Sequence, residues 1–198
     1  MTKIIAIANQ KGGVGKTTTV INLATAMVAV KKKVLIIDAD PQGNASTGLG
    51  IDEKDRKPTL YKLLLEGRLD EKSIKKTDIP NLDIITSTID LAASEIELVD
   101  MEKREDRLKN ILREIEGYDF FIIDCPPALG LLTINSLVAA DSVLVPLQCE
   151  FYALEGLSAL TQTIDIIKEN YNKKLEIEGL VLTMHDKRNT LSDLVEKD

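Results

Sequence analysis

Apolar residues in this chain gather in short unbroken runs separated by helix-period patterns, and that rhythm predicts most of its architecture. Ile4 to Ala8, Val34 to Ile37, Phe120 to Ile123, Val143 to Val145 and Leu180 to Leu182 have strand length. Unbroken rather than alternating runs predict strands buried on both faces, as in a parallel sheet covered by helices. Between them Val20, Leu23, Ala24, Met27 and Val28 mark the stripe of one helix; Leu108, Ile111, Leu112 and Ile115 mark a second, and Leu157, Leu160, Ile164 and Ile167 a third. A further helix is expected over Leu131 to Ala140. The alternation predicts a doubly wound α/β domain, a mostly parallel sheet with helices on both faces. Residues 50–101 are less regular, with a charged turn from Asp52 to Pro58, a helical stretch at Leu60 to Leu65 and a candidate edge strand at Leu82 to Thr86. Lacking a core of its own, this segment reads as an insertion on the sheet edge within one domain covering residues 1–198.

Ligands of such sheets sit beyond the carboxyl ends of the strands. There, after the first run, comes Gln10-Lys11-Gly12-Gly13-Val14-Gly15-Lys16-Thr17-Thr18-Thr19. A strand, a glycine-rich turn and a helix start in that order make a phosphate cradle, because successive backbone N–H groups and the positive end of the helix dipole converge on one anion. Lys11 to Thr18 are the candidate nucleotide-binding residues. Lys16 supplies a point charge for the β- and γ-phosphates, and the Thr17 hydroxyl is placed to ligate Mg²⁺. The pattern is that of a P-loop NTPase, with one departure: Gln10 stands where the first glycine of G-x-x-x-x-G-K-[ST] belongs. Lys11 is an extra cation. It reads either as a solvated surface lysine or as a charge reaching a phosphate, in a second subunit, in the manner of an arginine finger.

Carboxylates close two other runs. Asp38 and Asp40 flank Ala39 just before Pro41-Gln42-Gly43-Asn44, and side-chain alternation puts both on one side. They read as turn caps or as groups that orient an attacking water or hold the metal shell. Phe120-Phe121-Ile122-Ile123-Asp124 has the Walker B form, a buried strand whose acid emerges at its tip to meet Mg²⁺ directly or through water. Pro126 to Gly130 cannot continue that strand, so the segment is either a connection or a rigid loop that senses the γ-phosphate. The single His185 reads as a surface residue.

Composition narrows the class. The 198 residues are 44% hydrophobic and 29% charged, as expected of a soluble globular domain. The net charge of −7 confines any contact with DNA to a local patch. Two cysteines, Cys125 and Cys149, make neither a disulfide framework nor a zinc site, which fits a reducing cytoplasm. The apolar run after Met1 is too short for a signal-peptide core, and no run has the length to span a bilayer, so a cytoplasmic, soluble protein is expected.

Together, Lys11 to Thr18, Asp38 to Asn44 and Asp124-Cys125-Pro126-Pro127 resemble the deviant Walker ATPases, and among them the ParA/Soj partition proteins; the likeness runs from Lys3 to about Ser192. Val145 to Glu150 and Leu182-Thr183-Met184 resemble that family's later strands. The resemblance implies an ATPase, slow and partner-stimulated, whose cofactors are ATP and Mg²⁺ and which dimerises on binding ATP. It makes Lys11 the signature lysine that contacts the partner subunit's phosphates, Lys16 the phosphate lysine, Thr17 the Mg²⁺ ligand, Asp40 the residue that positions the hydrolytic water and Asp124 the Walker B acid. It further implies a nucleoid-associated dimer that binds DNA without sequence preference, with Lys187 and Arg188 among the basic residues available, and a ParB-type partner. Family members continue with another strand and helices that supply adenine contacts and part of the DNA surface, so this chain reads as lacking the family's C-terminal part. Three relatives compete. A membrane-associated MinD-like ATPase, or another positioning ATPase with a non-DNA cargo, would need a basic amphipathic C-terminal helix for the membrane, and the tail from Leu191 to Asp198 is acidic. A nitrogenase-iron-protein-like carrier would need bridging cysteines, and a GTPase an Asn-Lys-x-Asp element that Asn172-Lys173-Lys174-Leu175 does not supply.

Overall fold

The computed structural model of the chain describes residues 2–150, 153–186 and 188. Among the described residues seven strands, β1 (Lys3–Ile7), β2 (Val34–Asp38), β3 (Ile74–Lys76), β4 (Leu82–Ile85), β5 (Phe120–Asp124), β6 (Ser142–Gln148) and β7 (Glu176–Thr183), form one sheet in the order β3-β4-β2-β5-β1-β6-β7. All neighbours are parallel except β3, which runs antiparallel to β4. The helices are α1 (Lys16–Ala29), α2 (Asn44–Gly48), α3 (Leu60–Glu66), α4 (Leu91–Glu97), α5 (Arg107–Arg113), α6 (Leu131–Ala139) and α7 (Ala153–Asn170).

The unbroken apolar runs are explained by how they divide. Along β2, Val34 and Ile36 pack with Val20 and Ala24 of α1 and Ala45 of α2, whereas Leu35 and Ile37 join a second cluster with residues of α3 to α7. β1 divides in the same way, Ile5 and Ile7 against Ala6 and Ala8, and in β5 Ile122 faces opposite to Phe121 and Ile123. Successive side chains of a strand point to opposite faces, so a strand covered on both must be apolar throughout.

One expectation needs correction. Leu82 to Ile85 does not form the edge; β4 pairs with β2 on one side and β3 on the other, and the short β3, with two of its three residues lysine, is the edge strand. An antiparallel edge strand of this kind carries no continuous apolar signal, and charge suits its exposed position. At the other side, the run at Leu180 to Leu182 belongs to the longer β7, whose Ile177 and Leu180 are 44% and 48% exposed. Among the described residues β7 pairs only with β6. In residues 50–101, Leu60, Leu63, Leu64, Ile85, Leu91 and Leu98 share the cluster that holds α5 and α6, so the segment is continuous with the main core. Among the described residues, no helix is long and apolar enough to cross a membrane.

Candidate functional site

Register brings the motifs together. β5 lies between β1 and β2, with Asp124 level with Ile7 on one side and Asp38 on the other. The backbone closes this junction: Cys125 N–H donates to Ile7 O (3.2 Å), and Ala39 N–H to Asp124 O (3.0 Å). Whatever leaves the carboxyl ends of β1, β2 and β5 therefore surrounds one space. That space is a cleft of about 370 Å³ lined by Gly12, Gly13, Gly15, Lys16, Thr17 and Thr18 of the glycine turn, by Asp40, Gln42 and Asn44, and by Pro127.

The turn is shaped by glycine and propped from three sides. Gly15 has φ +88° and Gly13 φ +76°, values L side chains rarely adopt, and no atom stands within 4 Å of where a Cβ on Gly12 or Gly13 would be, which leaves their backbone open to a ligand. Asn9, 2% exposed, accepts from Lys11 N–H (3.0 Å) and donates to Pro146 O (2.7 Å), tying the start of the turn to β6. Thr183, at the end of β7, donates its hydroxyl to Val14 O (2.8 Å). Neither residue was singled out for the cleft: Asn9 is a polar group ending an apolar run, and Thr183 stood only within the stretch resembling a later strand. Lys16 turns its ammonium back into the loop and donates to Lys11 O (2.9 Å). Burial pulls its pKa below the ordinary lysine value, against the opposing effect of Asp124 and Asp40.

The three aspartates differ. Asp124 is fully buried; both its oxygens lack a hydrogen-bond partner, and the Thr17 hydroxyl faces it without reaching ordinary hydrogen-bond geometry. Burial, and next the nearby Asp38, push its pKa up to about 7. A buried carboxylate with empty lone pairs, beside a hydroxyl and close to a lysine, suits a hard cation that takes oxygen ligands and keeps part of its water. Asp38 is also buried, but its Oδ2 accepts from the backbone N–H (2.8 Å) and hydroxyl (2.6 Å) of Ser46, so it anchors α2. Burial raises its pKa to about 6. Alternation thus puts Asp38 and Asp40 near each other, yet their roles diverge. Asp40 lines the cleft, with Oδ1 accepting from Gln42 N–H (2.9 Å).

The Lys11 side chain is about a third exposed, and Lys11 is not among the residues that line the cleft. Its ammonium pairs with Glu150 of the same chain at 2.5 Å, a contact that sequence reasoning missed because the partner lies at the far end of β6. Cys125 and Cys149 are both buried, and burial pushes the Cys125 thiol up to about 12. Arg188 is held by Asp186, Nη2 to Oδ2 at 2.9 Å, while Lys187 and the tail from Leu191 lie outside the described residues. A second cleft, about 400 Å³, opens at the opposite end of the sheet beside Lys33, Lys76 and Tyr118. Its Asp83 is already satisfied by Lys76 and by the Tyr118 hydroxyl, each at 2.6 Å.

A family model described as an AAA domain matches residues 2–177. The chain is 52% identical over 199 residues to the chromosome partitioning protein ParA of Caulobacter vibrioides, covering 99% of this chain and 74% of that one. It is 53% identical over 192 residues to the sporulation initiation inhibitor protein Soj of Bacillus subtilis, covering 96% and 76%. Among solved structures, a cobyrinic acid a,c-diamide synthase from Mycobacterium smegmatis superposes with a TM-score of 0.95 at 39% identity, covering 100% of this chain and 81% of that one. It was crystallised both with ADP and magnesium and with an ATP analog and magnesium.

Proposed function

This chain belongs to the ParA/Soj family of chromosome-partition ATPases, and from that premise we propose that it binds ATP with Mg²⁺, dimerises around the nucleotide and hydrolyses it. The observation that carries the proposal is the convergence of the glycine turn, Asp124 and Asp40 on one cleft. The residues fit the metal, since Asp124 offers two buried, unpartnered oxygens and Thr17 a facing hydroxyl. Thr17 and Asp124 would hold a Mg²⁺ ion there, and it would supply positive charge that offsets the charge of the phosphates.

The protein's own groups divide the work. Backbone N–H groups of Gly12 to Thr18 cradle the phosphates, and Lys16 exchanges its internal bond to Lys11 O for a phosphate oxygen. Asp40 holds the attacking water beside the γ-phosphorus; the water oxygen bonds to that phosphorus as the bond to the β-γ bridging oxygen breaks, the water's proton passes to the departing phosphate, and ADP and phosphate leave. Lys11 leaves Glu150 and reaches the phosphates of a second copy, as the resemblance implies. We further propose that the ATP-bound dimer binds DNA through phosphate contacts, without sequence preference, and that a ParB-type partner stimulates turnover at the nucleoid. A non-DNA cargo is the second reading. The Asp186 partner of Arg188 weakens that residue as a DNA contact and leaves the choice between the two readings to a DNA-binding assay in low salt.

The test is turnover and association together. Asp40→Ala should bind ATP, accumulate as dimer and lose hydrolysis; Lys11→Ala should bind ATP as a monomer. A wild-type protein without affinity for adenine nucleotides would end this reading.

A further inference from the structure

Arg56 stands outside every motif of the phosphate cleft, in the charged turn between α2 and α3. It is 7% exposed, and no ion pair among the described residues includes it. Its guanidinium instead donates to three neutral oxygens: Nε to Ile51 O (3.1 Å), Nη1 to Ser87 O (3.0 Å) and Nη2 to Thr47 Oγ1 (2.8 Å). A buried cation without an anion is costly, so the geometry it holds is the informative part.

That geometry leads to Asp40. The Thr47 hydroxyl in turn donates to Gly43 O (3.0 Å), and Gly43 N–H donates to Asp40 O (2.9 Å). A parallel line runs through Ser46, whose hydroxyl donates to Asp38 and accepts from Ser87 N–H (3.1 Å). Ser87, just past β4, is therefore gripped at its carbonyl by Arg56 and at its N–H by Ser46. There is no slack in between: a Cβ on Gly43 would stand 2.5 Å from Arg56 Nη1 and 2.9 Å from Ser87 O.

We propose that Arg56 is a positioning residue for Asp40, its fork fixing the Asp40–Gly43 turn and α2 against the exit of β4 so that the carboxylate stays at the rim of the phosphate cleft. The proposal rests on the role given to Asp40 above. The three donors diverge from one rigid plane, which a lysine ammonium on a flexible stem cannot reproduce. Loss of the fork lets the turn drift, and a displacement on the order of 1 Å at a positioning group costs up to about a hundredfold in rate.

Two readouts test this. In nucleotide-free protein, Arg56→Lys and Arg56→Met should speed hydrogen exchange of the amides in residues 40–49 by roughly tenfold while leaving α1 at wild-type protection. In turnover assays both should lower kcat by about tenfold or more with KM for ATP within about threefold of wild type. Thr47→Val, which keeps side-chain shape and removes one acceptor of the fork, should move both readouts in the same direction and covers the case in which an Arg56 variant does not fold. Unchanged exchange over 40–49, exchange in α1 sped as much as in 40–49, as from a general loss of folded protein, or a KM raised as far as kcat falls would overturn the proposal. If Asp40→Ala turns over ATP like wild type, the functional reading falls instead, and the exchange arm still decides whether Arg56 holds the turn.

Discussion

Glu150→Gln removes the carboxylate that holds Lys11 in its own subunit, and the consequence for association follows from the geometry of the pair. The two charges meet at 2.5 Å, but the side chains are 35% and 36% exposed, so water screens them. Ion pairs this exposed contribute roughly 0.2–1 kcal/mol. If each Lys11 must leave Glu150 before it reaches the other subunit's phosphates, a dimer forfeits two such pairs. Their removal therefore favours association by about 0.4–2 kcal/mol, or about 2- to 30-fold in dimer Kd. Sedimentation equilibrium of wild type and Glu150→Gln with Mg²⁺ and a non-hydrolysable ATP analogue measures this directly. The variant should associate more tightly, and its ATP affinity at monomer concentrations should stay unchanged. A weaker or equal dimer would refute the reasoning and make Glu150 a partner of Lys11 in both states.

Burial raises Asp124 to about 7 and Asp38 to about 6, above their ordinary carboxylate values, so the nucleotide-free fold binds protons that the unfolded chain has released and loses stability as pH rises from about 4 to 7. Asp124→Asn should accordingly melt higher than wild type at pH 8, by at least about 1 kcal/mol or 2–4 °C, with the gap closing by pH 5; an equal gap at both pH values would count against a buried, proton-holding Asp124. Gly43→Ala, which forces a left-handed φ of +62° on alanine and drives its Cβ toward Arg56 and Ser87 O, should lower the melting temperature by several degrees, roughly 1–2 kcal/mol. Thr183→Val removes the hydroxyl that props Val14 O and should weaken ATP binding by a few-fold, the equivalent of about 1 kcal/mol, seen by titration calorimetry as a change in Kd without a change in stoichiometry.

Much of the cleft was legible because its chemistry is local. Gly12 to Thr18 carry the cradle in consecutive positions, and the glycines at 13 and 15 sit where the backbone turns left-handed. Asp124 was legible because a fully buried strand can show an acid only at its tip. The bracket around Asp40 was not, since Arg56 meets Ser87 across 31 positions and reads in the sequence as one more charge in a charged turn. β3 was missed for a related reason: three residues with two lysines carry no apolar signal, and only the pairing with β4 makes them a strand.

The sequence by itself determined the layers and the phosphate turn, because apolar periodicity and glycine conformation act over neighbouring residues. Tertiary structure alone decided the order of strands, inserting β5 between β1 and β2 so that Asp124 stands level with Ile7 and Asp38. It alone gave Asp38 to Ser46, Asp40 to the cleft and Lys11 to Glu150. Lys11 and Glu150 are far apart in the chain, Asp38 and Ser46 only eight residues, but in each case the energy exists only once the folded sheet has brought the groups together.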